Sequence, residues 1–228
     1  DARIEVFGDI TGDNSSDFSM TAGNLRIFTP TFPQDFANYN LTGGRVLYRF
    51  DGNQTIEALT YNRLFIDRDD FTTGTVAKTL AGNITVTGSE IDINDGINLD
   101  VAGHTITLSG NFQITPNETI NWNGGTLIHN GSRWNIDEDF TVFNNLVLEG
   151  DDLKDMRSDL NITGDLTIRS GVTLYMRDYT MNNTTGTGTT MTMEQGAEVD
   201  NRSESGDASF PTNFGTYDLD EGSLTELR

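Results

Sequence analysis

Apolar and polar side chains alternate one by one through residues 159–176. Leu160 and Ile162 alternate with Asn161 and Thr163, Leu166 and Ile168 with Thr167 and Arg169, and Val172, Leu174 and Met176 with Thr173 and Tyr175. Alternation at period two puts every second side chain on one face of an extended strand. Gly164-Asp165 and Ser170-Gly171 interrupt it with turn chemistry. The stretch therefore predicts three short strands joined by two-residue turns. Two architectures meet that pattern. One is a hairpin ladder closing into a β-sandwich or an up-and-down barrel. The other is the stacked coils of a parallel β-solenoid.

The rest of the chain decides between them. Ala2–Phe7 reads as an opening strand, Gly8–Asp17 as polar turn material, and Phe18–Phe28 as one or two more strands. Pro30, Pro33, Phe32, Phe36 and Tyr39 form an irregular segment whose aromatics are expected to pack on something, covering a solenoid edge or linking repeats. Proline within it argues against a central strand. From Gly43 a pattern starts that returns later. Gly43–Ile56 aligns with Gly124–Ile136, Tyr61–Ile66 with Phe143–Leu148, Asn83–Thr85 with Asn161–Thr163, and Asp95–Leu99 with Ser170–Leu174, at offsets of 81, 82, 78 and 75 residues. Slips of that size belong in turns. The predicted organisation is an N-terminal segment over 1–42, repeats over 43–123 and 124–204, and the start of a further repeat or a terminal coil over 205–228. A three-faced coil takes ~20–25 residues, which gives each repeat three or four coils. Coherent alternation and Asn/Thr-rich turns favour the solenoid, so the predicted fold is all-β, a parallel β-helix with almost no helix.

Composition supports a slender structure. Only 35% of the 228 residues are hydrophobic, too few for a parallel sheet buried on both faces in a large α/β enzyme. The net charge of −21 makes nucleic acid and anionic membranes poor partners. It leaves solubility, or binding of a hard cation such as Ca²⁺, as its uses. The chain has no Cys, which removes disulfides, thiolate metal sites and Cys nucleophiles. No stretch approaches the ~20 apolar residues of a membrane-spanning helix. No signal peptide is visible in the sequence, and a chain that opens at Asp1 reads as a processed protein or a segment of a longer one.

The runs Tyr61-Asn-Arg-Leu, Leu80-Ala-Gly-Asn-Ile-Thr-Val-Thr-Gly88, Gly103-His-Thr-Ile-Thr-Leu-Ser-Gly110, Gly124-Gly-Thr-Leu and Asn144-Asn-Leu-Val-Leu resemble the repeats of very large surface proteins of gliding and biofilm-forming Bacteroidota, exported by the type IX system. The resemblance covers most of residues 43–200, and the first 40 match it poorly. It implies an extracellular, right-handed parallel β-helix serving as a filament, stalk or adhesin.

Three acidic groups are candidate Ca²⁺ sites. Asp92, Asn94, Asp95, Asn98 and Asp100 supply oxygen ligands, but Gly96 is fifth and Gly103 twelfth, where an EF-hand needs Gly sixth and Glu twelfth. The same residues read as a plain Gly turn between two strands. Asp67, Asp69 and Asp70 follow one Tyr/Phe-Asn-x-Leu strand, and Asp151, Asp152 and Asp155 follow the other. Their recurrence suits a solvated loop as well as a cation. A lyase-like reading would cast Arg68 or Lys154 as base beside those carboxylates, although a catalytic constellation is expected to break a repeat once, not to recur. His104 and His129 lack partners at ligand spacing, and no nucleophile elbow, Walker loop or dinucleotide fingerprint occurs. Trp122 and Trp134 suit sugar stacking or core packing. Asn-x-Ser/Thr sequons recur, at Asn14, Asn40, Asn53, Asn83, Asn117, Asn130, Asn161, Asn182, Asn183 and Asn201.

Two functions fit. The first is a non-catalytic structural or adhesive segment of an extracellular solenoid, with itself as partner through axial stacking or chain continuation, and with surface polysaccharide as a further partner. The second is a carbohydrate-binding or carbohydrate-cleaving β-helix. The alternation further predicts that Leu64, Ile66, Leu146, Leu148 and Leu166 face the core.

Overall fold

The computed structural model describes residues 2–68, 74–94, 96–114, 119–132, 134–136, 142–150, 153–201 and 210–226. Among them the chain is all-β, with no helix. Every strand pairing is parallel, which a hairpin ladder cannot provide. The strands stack as a β-solenoid. Two compact units divide between Asn123 and Gly124.

Each unit is a stack of coils with three strand faces. In the first unit, Arg3–Val6 pairs with Asn24–Ile27, which pairs with the second half of Asn38–Tyr48. That strand then pairs with Thr60–Ile66, which pairs with Glu90–Ile93. The register Arg3↔Asn24↔Arg45 steps by one coil of 21 residues. A second face runs through Asp17–Ser19, the start of Asn38–Tyr48, Ile84–Val86 and Thr105–Leu108. The third comprises Gln54–Ile56, Val76–Leu80, Ile97–Asp100 and Thr119–Asn121. The second unit repeats the plan. One face carries Thr126–His129, Asn145–Leu148, Leu166–Ile168, Thr190–Met193 and Thr216–Leu219. Another carries Trp134–Ile136, Leu153–Met156, Thr173–Tyr175, Glu198–Asp200 and Leu224–Glu226.

Alternation dictates what fills the interior. Leu25, Val46, Leu64 and Ile91 form one inward row and Ile27, Tyr48, Ile66 and Ile93 another, all buried. In the second unit, Leu146, Leu166 and Met191 align in one row and Leu148, Ile168 and Met193 in the next. Leu160, Ile162, Val172, Leu174 and Met176 are also buried, so all three strands read from residues 159–176 face as the alternation requires.

From Pro30 to Ala37 the proline-rich segment carries no strand, only a bridge from Gln34 to Thr11, and its last aromatic, Tyr39, already belongs to Asn38–Tyr48. Its Phe32 is buried among Phe18, Tyr39 and Tyr48, with ring centroids 5.8–5.9 Å away. Phe18 and Tyr39 in turn meet Phe36. A few large rings thus fill the coil where Pro30 and Pro33 prevent a ladder.

Gly43-Gly44 form a corner inside Asn38–Tyr48, where the register shifts and the strand passes from one face to the next. Gly44 has φ +74°, and a Cβ there would lie 2.4 Å from the Gly23 carbonyl oxygen. Left-handed backbone and a backbone clash act together, so Gly44→Ala is expected to cost about 2–4 kcal/mol. A urea midpoint unchanged by the substitution would show that the corner tolerates a side chain.

Candidate functional site

The described members of the acidic groups do not assemble into a cation cage. Asp92 points outward from Glu90–Ile93 and is half-buried. Its carboxyl is held above the usual carboxylate range, first by burial and then by Glu90 and Asp67, with Arg45 opposing. Asp100 belongs to a different face, Ile97–Asp100, where its Oδ1 accepts from the Ala102 N–H at 2.8 Å and from Asn123 Nδ2 at 2.7 Å. Asn98 accepts from Asn121 at 2.9 Å. Asn94 lies beyond the Asp92 strand, its N–H bound to the Ile66 carbonyl. Asn98–Asn121 and Asp100–Asn123 are thus side-chain rungs between successive coils. Among the described residues no three His, Asp or Glu side chains come close enough to hold a metal ion.

In the other two groups, the described carboxylates Asp67 and Asp155 hold arginines. Asp67 pairs with Arg49 at 3.1 Å and accepts the Arg68 N–H at 2.8 Å. Asp155 is fully buried and gripped by both arms of Arg177, Nε at 2.5 Å and Nη2 at 2.9 Å. Arg157 stands 3.8 Å away. Asp69, Asp70, Asp95, Asp151 and Asp152 lie outside the described residues. The two bases cast for a lyase each hold a backbone carbonyl. Arg68 Nη1 donates to the Gly74 carbonyl at 2.6 Å. Lys154 is fully buried, its Nζ donating to the Gly131 carbonyl at 2.5 Å and lying 3.1 Å from His129 Nδ1.

The tryptophans are core residues. Trp134 is buried and stacks on His129 with centroids 4.7 Å apart, and Trp122 is buried too. Neither offers a face to a sugar. His104 and His129 belong to different units. Of the sequons, Asn14, Asn40, Asn53, Asn83 and Asn130 are exposed, while Asn183 and Asn201 are buried. Asn117 is outside the described residues.

Three features escape the acidic-residue reading. Lys78, like Lys154, is fully buried on an inward strand position. Its Nζ donates to the Phe50 carbonyl and to Gln54 Oε1, both at 2.7 Å. Burial pulls its ammonium down to about 8, against the raising influence of Asp67 and Asp51. Gln54 Nε2 carries the network on to the Thr29 carbonyl at 2.7 Å. The alternation Val76-Lys78-Leu80 signals this lysine: a charged residue stands in an inward slot.

The second feature is a cleft of about 300 Å³ at the place where the prolines break the ladder. Pro33, Asp35, Tyr39, Glu57 and Leu59 line it. Tyr48 and Tyr61 share a buried 2.8 Å hydroxyl contact, and both phenols hold the Glu57 backbone. The Glu57 carboxyl is raised by burial, and the Tyr39 phenol by burial and then by Glu57 and Asp35.

The third is the outward side of the Arg3–Val6 face, where arginines gather on successive coils. Arg45 and Arg63 are register neighbours, and the Arg45 guanidinium lies 4.8 Å from the centroid of the Phe65 ring. Aligning the chain at one coil, not at the longer repeat, brings Arg3, Arg26, Arg45 and Arg63 to this face.

Comparison with protein-family models, curated proteins and solved structures returned no match.

Proposed function

We propose that the chain is a structural and adhesive segment of an extracellular β-solenoid fibre or cell-surface filament, without catalytic activity. The observation that carries this reading is the repetition of one plan: within each unit successive coils pair in parallel register around continuous buried apolar rows, such as Leu25, Val46, Leu64 and Ile91 or Leu146, Leu166 and Met191. A stack in which each coil contacts its neighbours above and below suits a scaffold that is extended coil by coil. The acidic surface opposes lateral aggregation and leaves axial contact open. The resemblance to type IX-exported repeats of Bacteroidota points to the same role and to the cell exterior.

Particle imaging of native material tests this. Rods with an axial rise of ~4.8 Å per coil are expected. Isolated particles with covered ends would defeat the axial reading. Sustained product release from polysaccharides at low protein concentration would defeat the non-catalytic one. The second reading, a carbohydrate-binding or carbohydrate-cleaving β-helix, draws on the Asp35–Glu57 cleft, which pairs two carboxylates and a phenol where the repeat is broken.

A further inference from the structure

The outward side of the Arg3–Val6 face departs from the charge of the chain. Its arginines stand among Glu5, Glu90, Asp67 and Asp92, so the face is close to neutral while the protein carries −21. Within it, two arginines are register neighbours on successive coils. Arg45 and Arg63 occupy adjacent strands in direct register, about 4.8 Å apart along the stack. Like charges directly opposite one another are destabilising unless an anion lies between them.

The available carboxylates do not neutralise them well. Arg63 reaches Glu90 only at 3.9 Å, and neighbouring Arg26 reaches Glu5 at 3.5 Å. Arg45 has no carboxylate within ion-pair distance among the described residues, and its Nε is buried with no hydrogen-bond partner. The Phe65 ring beneath it fixes the plane of the guanidinium. A fork held flat in this way matches a carboxylate through two parallel hydrogen bonds.

We infer that Arg45 and Arg63 form a binding site for the carboxylate of an acidic sugar, a uronate unit of a polysaccharide. Their row continues to Asn24 on one side and Glu90 on the other. An amide and a carboxylate at those positions are partners for sugar hydroxyls. A dense polyanion such as nucleic acid would bring charge after charge against Glu5, Glu90 and Asp92. A saccharide brings one charge per ring and surrounds it with hydroxyls, which suits a mixed face. The inference goes beyond the filament reading: it names a ligand and needs no axial contact.

Calorimetric titration of trigalacturonate into the whole chain tests it, with maltotriose as the uncharged control. Wild-type protein is expected to bind trigalacturonate and not maltotriose, and to lose affinity as salt rises toward about 0.3 M. Arg45→Gln and Arg63→Gln are each expected to weaken binding about tenfold or more, and Arg45→Lys nearly as much, since an ammonium lacks the planar fork. Circular dichroism confirms the fold of each variant, and either Gln variant suffices if the other misfolds. Absence of wild-type binding, equal binding of maltotriose, or full affinity in both Gln variants would overturn the site. A single-stranded oligonucleotide binding as tightly would reassign the face to polyanions. Self-association lost in Arg45→Gln, without uronate binding, would reassign it to a second copy. Product release during the titration would count against the non-catalytic reading alone, so the two failures are separable.

Discussion

Leu166→Asp is expected to abolish cooperative folding of the unit formed by residues 124–228. Leu166 is fully buried and aligned between Leu146 and Met191 on the adjacent coils. A carboxylate there would have apolar side chains on both sides and no cation in its row. An unpaired buried charge costs more than about 4–5 kcal/mol, against a typical total stability of about 5–15 kcal/mol. Leu166→Ala serves as the graded control. It leaves a cavity without a charge and is expected to cost about 2–5 kcal/mol. Circular dichroism and protease resistance read both variants. If Leu166→Asp matched wild type in both, Leu166 would have to face solvent.

That residue also shows what the amino-acid pattern conveys. Alternation at period two is a local property, and it oriented Leu160, Leu166 and Leu174 correctly because each strand has one buried and one solvated face. Parallel pairing is not local. Leu166 meets Leu146 and Met191, about a coil away on either side, and only coherent phase over many turns favoured that over hairpins. The proline segment was read as irregular from Pro30 and Pro33. The ring cluster that replaces its ladder depends on Tyr48, which lies beyond the segment at the end of Asn38–Tyr48.

Chemistry was harder to read than architecture, because a charge run does not disclose its partners. Asp155 sits in an acidic run, yet it is buried by Arg177, one coil later at a separation of 22 residues. Asp92 and Asp100 are close in sequence and lie on different faces, since the turn between them moves the chain around a corner. For Asp92 and Asp100, closeness along the chain is therefore not closeness in space. The reverse error hid the Arg45–Arg63 pair. Those residues are not near each other in a motif, and the fold brings them into register because one coil separates them.

Lys78 carries the second large effect. Lys78→Ala would leave the Phe50 carbonyl without its lysine donor and Gln54 Oε1 with only the longer 3.4 Å bond from the Phe50 N–H, and would open a cavity beside them, at an expected cost of about 3–5 kcal/mol. Lys78→Met keeps most of the volume and should cost less. The same lysine sets an unusual response to alkali. Its ammonium releases a proton at about 8 in the folded protein, because burial disfavours the charge, and at ~10.4 in the unfolded chain. Between those values the unfolded chain holds the proton that the folded one has lost, so stability rises with pH, on the order of 2 kcal/mol. Tyr48 and Tyr61 act in the opposite sense. Burial pushes both phenols up, so above about pH 10 the unfolded chain ionises first and stability falls. Urea midpoints across the alkaline range should therefore climb from about pH 8, peak near 10 and then drop. In Lys78→Met the climb should vanish and the drop remain. A climb of equal size in that variant would place its origin in some other group.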